Sequence, residues 1–224
     1  MAVIHRTTMS PGKLELLADW LPSRPWYRGA KGPAALAKAG GFRLDDPEGE
    51  VGIEFMVVTD TSGDTPVTYQ VPLTYRGAPL EGAGEGLIGT SEHGVLGRRW
   101  IYDGAHDPVL VEQLLALLAG RGAAQNQSES GVPDPTVEIR SEGAGVPAGL
   151  TGPGLVTDTA DGTVVTVGPV GLERPVLSLT MARELRTGPA PAADRVRGRV
   201  LARWSAPDGA EARTTFAFLA DSGR

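Results

Sequence analysis

The sequence predicts an α+β protein, an antiparallel sheet packed on helices and followed by a small β-rich domain. Three observations carry that prediction. Residues 50–76 read as two long strands around a turn-rich DTSGDTP, and in the second strand Val67, Tyr69, Val71, Leu73 and Tyr75 alternate with Thr68, Gln70 and Thr74. A period of two marks one buried and one wet sheet face. Two further segments carry helical signals, and a content of 31 Gly and 18 Pro favours turns over long helices.

In chain order, residues 2–7 suit a short edge strand. Ser10 followed by Pro11 predicts a helix start, and Leu14, Leu17, Ala18 and Leu21 form one apolar stripe, so a helix is expected over 11–20. Pro22 and Pro25 end it within WLPSRPWYRG (residues 20–29). GFRLDD (41–46) leads into the hairpin, where Val51, Ile53, Phe55 and Val57 mark the buried face and Glu54 lies opposite. Pro72 has no N–H, which predicts an edge or a bulge in its strand. Strands over 86–91 and 95–103 come next. Asp107 and Pro108 supply a cap and first helical residue, and VLVEQLLALLA (109–119) is apolar enough for a helix buried on the sheet. Gly120 and Gly122 end it.

Residues 121–135 are polar and aperiodic and read as a linker between a first domain, 1–120, and a second, 136–224. The second reads as TVEIRS, GLVTDT, GTVVTVG and PVLSLTMA, then a hairpin of 195–205 and 211–220 around Pro207, Asp208 and Gly209.

Composition excludes several functions. A net charge of −6 and a pI near 5.1 argue against nucleic acid and anionic membranes as partners. No apolar run approaches the roughly 20 residues of a membrane helix. MAVIHRTTMSPGK has no signal-peptide pattern, and the absence of cysteine removes disulfides and thiolate metal sites, which suits a cytoplasmic location.

The chemistry-bearing residues are sparse. His5, His93 and His106 include no pair at metal-ligand spacing and read as surface or loop histidines. Gly82, Gly84 and Gly86, like Gly143, Gly145 and Gly149, lack the Lys-Ser/Thr ending of a phosphate loop and read as turns. Ser91, Glu92 and His93 are neighbours in sequence rather than a triad. Asp45, Asp46, Glu48 and Glu50 read as a charged loop. Arg195, Arg197, Arg199 and Arg203 share one side of a strand, with Val196, Val200, Ala202 and Trp204 on the other. That stripe is a solvated face in the plain reading and an anion or acidic-partner site centred on Arg197 and Arg199 in the sharper one. These residues point to no catalytic group, metal or cofactor.

Four segments taken together carry a resemblance: WLPSRPWYRG (20–29), VTYQVPLTYR (67–76), IGT (88–90) and WIYDGAHDPVLVEQLL (100–115). In that order and spacing they resemble the N-terminal cap domain of actinobacterial maltokinases. The matching positions are Leu21, Pro22, Trp26 and Tyr27; Tyr69, Val71, Pro72 and Leu73; and Tyr102, Asp103, Asp107 and Pro108. The resemblance implies a curved, cystatin-like sheet packed on helix, in a family whose caps precede an ATP- and magnesium-dependent kinase. No lysine lies beyond Lys38 and no histidine beyond His106, and Ser178 stands where a phosphate-anchoring lysine is wanted. The resemblance therefore implies a cap without its kinase lobes.

The function expected is a non-catalytic cap-like accessory or interaction protein linked to maltose, trehalose or α-glucan metabolism, with a protein or a carbohydrate as partner. The alternative is an ATP-dependent sugar kinase, or a remnant that needs a separate catalytic chain. The expected working surface is the aromatic patch of Trp20, Trp26, Tyr27 and Arg28, with Trp100 and Tyr102 second, since aromatics and Arg suit both protein interfaces and sugar stacking. Core packing is the expected alternative for each, and for Trp100 the favoured one.

Overall fold

The computed structural model describes residues 8–160, 162–169, 177–188 and 195–222. Two α-helices and fifteen strands are present among them. The first half runs β1 (Met9–Ser10), α1 (Lys13–Trp20), β2 (Leu36–Leu44), β3 (Gly52–Asp60), β4 (Val67–Arg76), β5 (Leu87–His93), β6 (Gly97–Asp103), α2 (Pro108–Leu118) and β7 (Gln125–Asn126). The second half runs β8 (Glu138–Ser141), β9 (Leu150–Thr151), β10 (Val156–Thr159), β11 (Gly162–Pro169), β12 (Leu177–Ala182), β13 (Glu184–Leu185), β14 (Val196–Ser205) and β15 (Glu211–Asp221). The architecture is β-rich, mostly antiparallel sheet with few helices. The edge strand expected at 2–7, with His5, lies outside the described residues.

Strand order is β1-β5-β6-β4-β3-β2-β14-β15-β12-β11-β10, with the two halves joined where Trp204 of β14 pairs with Gly40 of β2. The sheet then returns on itself. Past Arg183, β12 gives way to β13, whose Glu184 and Leu185 pair with Tyr69 and Thr68 of β4. Strands β4, β3, β2, β14, β15 and β12 thus form a ring closed by β13.

One core fills that ring. It draws Phe42, Ile53, Phe55 and Val57 from β2 and β3, and Val200, Phe216, Leu219, Leu179 and Met181 from the second half. Phe42 stacks on Phe55 with centroids 4.5 Å apart and meets Phe216 at 5.8 Å. Helix α2 packs into the same core through Leu110, Val111, Leu114, Leu115, Leu117 and Leu118. Burying such side chains contributes about 1.5–3 kcal/mol each. As expected, Asp107 caps the helix, its Oδ1 accepting from Val109 N at 3.0 Å ahead of Pro108.

A second core lies on the other face of β3 and β4. There Met56, Val58, Tyr69, Val71, Leu73 and Ile101 meet Leu17, Trp20 and Leu21 from α1 and its end. Helix α1 begins at Lys13, later than Ser10 and Pro11 predict, because Gly12 takes the cap position and donates its N–H to Glu15 Oε2 at 2.6 Å.

Two expectations are corrected here. The β3–β4 hairpin has no wet face: Thr68, Gln70 and Thr74 are buried because ring closure encloses the side they point to. Nor is Pro72 on an edge strand. It pairs with Phe55, and along its other side β6 reaches only to Leu73 while Gln70 N donates to Arg183 O. Alternate residues of a strand donate to the same side, so Pro72 sits at the gap between β6 and β13, where no N–H is needed.

Candidate functional site

The segment 20–29 leaves α1 through a 3₁₀ turn at Leu21–Ser23, with Pro22 inside it, and folds back onto the sheet. Trp26 is 1% exposed and Trp20 7%, with centroids 5.9 Å apart, and Trp26 meets Tyr69 at 5.8 Å. The aromatic surface expected at 20–28 is therefore interior, because large apolar rings beside α1 close the second core. Arg28 alone of the four is exposed.

Tyr27 is anchored by polar bonds. Its Oη donates to Asp60 Oδ2 at 2.7 Å, and Asp60 Oδ1 accepts from Ala35 N and Ser62 N, both at 2.9 Å. Burial alone would raise the Asp60 carboxyl, but hydrogen bonds from Tyr27, Ser62 and Ala35 hold it below its ordinary range. Tyr69 accepts from Arg28 N at 2.7 Å, and burial pushes its phenol up to about 12. Gly29 must stay bare, since a Cβ there would overlap both Tyr27 Oη and Asp60 Oδ2.

Tyr102 is also buried, its Oη accepting from Leu80 N at 2.9 Å and holding the loop after β4. Trp100 is half-buried and stands opposite Arg76 in the β4–β6 ladder. This corner opens into a cleft of about 360 Å³, lined by Glu50, Val51, the turn 76–79 and Arg99. Arg76 is held as a fork: its Nε and Nη2 donate to the two oxygens of the buried Asp107, each at 2.7 Å. That carboxylate raises the Arg76 guanidinium above its ordinary value, with burial opposing. Arg99 donates through Nη2 to Leu96 O at 2.7 Å, while its Nη1 lies where a side chain on Gly77 would come within 3.0 Å. Glu50, also in the lining, is exposed, and its N–H is held by Asp46, which also accepts from Glu48 and Val51.

The three arginines of the stripe that lie in β14 are compensated within the chain. Arg197 Nε reaches Asp221 at 2.6 Å, Arg199 Nε reaches Glu142 at 2.8 Å, and Arg203 Nη1 reaches Glu211 at 2.8 Å. Arg199 also lies 5.3 Å from the Phe218 ring centre. Cross-strand pairs of this kind stabilise a sheet face and leave little field for an outside anion.

A family model for the maltokinase N-terminal cap domain matches residues 20–107. Over those residues the chain is similar to a maltokinase cap domain. No curated protein matches the chain. The matched segment runs from Trp20, at the end of α1, to Asp107, the residue that caps α2 and grips Arg76.

Within that segment the buried Glu54 joins three elements. Its Oε2 accepts from Lys13 Nζ at 2.6 Å and Tyr75 Oη at 2.7 Å, and its Oε1 from Gln127 Nε2 at 2.9 Å. Burial opposes the charged form, yet Lys13, Tyr75 and Gln127 together hold Glu54 below its ordinary range. The same burial and the Glu54 charge drive the Tyr75 phenol well above its ordinary value.

Sequence reasoning does not single out Arg76, Gly77 or Arg99, and meets Glu50 only as part of a charged loop. The one local signal is Asp107 before Pro108, which reads as a helix cap and which also fixes Arg76. The contact between Arg99 and Gly77 crosses from β6 to the end of β4, so it follows from strand pairing rather than from a motif.

Proposed function

We propose that the chain is a non-catalytic accessory or interaction protein that works through its cap domain in maltose, trehalose or α-glucan metabolism. The observation that carries this reading is the match of residues 20–107 to the maltokinase cap. Its non-catalytic part is supported by the occupation of the buried carboxylates of residues 20–107: Asp46, Glu54, Asp60, Asp103 and Asp107 each accept donors from this chain. A general acid or base needs a proton path to a substrate instead. Residues 1–120 act here as the cap-like unit, cystatin-like in carrying α1 across a sheet face, 121–135 as a connection and 136–224 as a β-rich companion. The setting is cytoplasmic and of actinobacterial type, with a protein or carbohydrate as partner. No helix among the described residues is long and apolar enough to cross a bilayer.

A thermal-shift screen with ATP-magnesium, maltose, trehalose and glycogen oligosaccharides tests this, because ligand binding to the native state raises the melting temperature. A shift with sugars, or none with any small molecule and capture of a protein partner, supports the accessory reading. A shift with ATP-magnesium accompanied by phosphoryl transfer to a sugar overturns it in favour of the kinase alternative.

A further inference from the structure

We propose that the cleft between Glu50 and Arg99 is a binding site for a small, neutral compound carrying a vicinal diol. The proposal rests on the charge and hydrogen-bonding inventory of the cleft and does not depend on the metabolic assignment above.

Size is the first consideration. At about 360 Å³ the cleft falls at the lower end of small-molecule sites, enough for one ring-sized compound. Its floor is preformed. Arg76 is fixed by two bonds of 2.7 Å to a carboxylate that is itself buried and engaged at the start of α2. A rigid donor of that kind needs no reordering when a ligand arrives.

Charge then selects the ligand. The guanidinium groups of Arg76 and Arg99 are balanced by Asp107 and Glu50, and Asp46 adds a further carboxylate acting on Arg76. A phosphate or carboxylate meets no net positive field here, unlike sites built to hold anions. A cation meets two guanidinium groups, while Asp107 and Asp46 are engaged by donors of this chain, which leaves Glu50 alone to hold it. A hydroxyl, by contrast, both donates and accepts. Adjacent hydroxyls can donate to the exposed carboxylate of Glu50 and accept from the Arg99 guanidinium, whose Nη1 lies on the Gly77 side of the cleft lining. Val51 and Pro79 add an apolar wall for the carbon skeleton between them. Gly77 keeps the space open, since a side chain there meets Arg99 Nη1 at 3.0 Å.

Two common sources present that chemistry, a free sugar and the ribose of a nucleoside, and one experiment separates them. Amide NMR of the full chain is followed during titration with glucose, adenosine, 2′,3′-dideoxyadenosine and inorganic phosphate. The expected result is saturable movement of the Val51, Gly77, Ala78 and Arg99 amides with glucose or adenosine and none with the dideoxy compound or phosphate. Glucose alone identifies a sugar site, and adenosine alone a ribose site. Gly77→Val fills the cleft and Arg99→Gln removes a charged donor. Each is expected to weaken binding by about tenfold, the loss of one charge-assisted hydrogen bond or its equivalent. Unperturbed amides in β11, β12 and β15 confirm that a variant is folded, and Arg99→Gln carries the test if Gly77→Val is not. The proposal is overturned if neither diol moves these amides, if phosphate or the dideoxy compound moves them equally, or if folded variants bind as well as the parent.

Discussion

Arg183 and Asp103 form an ion pair sealed from water at both ends, with Nη2 and Oδ2 2.5 Å apart and side chains 0% and 3% exposed. The guanidinium also donates through Nε to Thr163 Oγ1 at 2.7 Å and lies 5.0 Å from the Trp26 ring centre. Asp103 ends β6 in the cap-like segment, whereas Arg183 separates β12 from β13, so the pair ties that segment to the strand that closes the ring. Removing one partner of a buried pair strands the other charge. Arg183→Met is therefore expected to cost about 3–5 kcal/mol, read from urea unfolding. A loss below about 1 kcal/mol, the range of exposed pairs, would contradict this placement.

Gly29→Ala places a methyl group onto the Tyr27 hydroxyl and the Asp60 carboxylate. Overpacking of this kind costs about 1–3 kcal/mol. Gly84, where an added Cβ would meet nothing within 4 Å, is the control at which alanine should change the melting temperature far less.

Acid should attack the Glu54 network. Its folded pKa lies below the unfolded one, so its stabilisation is full above the ordinary carboxylate range near about pH 4 and is lost as pH falls through the folded value. Lys13→Met removes the largest opposing charge and moves that folded value upward. The acid-unfolding midpoint of the variant should lie at higher pH than that of the parent; an unchanged or lower midpoint would count against the network.

Base should find the tyrosines resistant. Tyr69, with its phenol pushed up to about 12, and Tyr75, driven well above its ordinary value by burial and the Glu54 charge, stay neutral in the fold when free phenols ionise. A raised folded pKa gives stability that is full below the ordinary value of 10.0 and declines as pH climbs toward about 12. The phenolate absorbance of Tyr69 and Tyr75 should therefore lag that of free tyrosine and rise together with unfolding. A single early rise accounting for all four tyrosines would be inconsistent with their burial.

The compensated stripe on β14 predicts small effects. Arg203→Ala breaks an exposed pair with Glu211 and should cost about 0.2–1 kcal/mol in thermal or urea melts. A larger loss would mean that Arg203 supports more than that pair.

Much of the framework is legible locally. The β3–β4 hairpin follows from its alternation, α2 from Asp107, Pro108 and an apolar run, and β14–β15 from the turn at Pro207, Asp208 and Gly209. What escapes is the set of relations between distant residues. Gln70 and Thr74 look wet in sequence because they are polar, and are buried because β13 arrives from the other half of the chain. Trp20 and Trp26 sit among prolines and arginines, as interface aromatics do, and only their packing on Tyr69 and α1 reveals them as core. At the cleft, neither Gly77 nor Arg99 carries meaning alone, and their relation exists only once β4 and β6 are paired.

The pairing of Tyr69 with Glu184 also sets an order of events during synthesis. A growing chain can form the β3–β4 hairpin early, but one flank of β4 stays raw, and Phe42 lacks Phe216, until the last strands emerge from the ribosome. Contacts so distant along the chain make closure slow and leave apolar surface open to strangers in the interval. Refolding from denaturant should accordingly yield less native protein as concentration rises, and a chaperone that shields the unfinished flank should restore it.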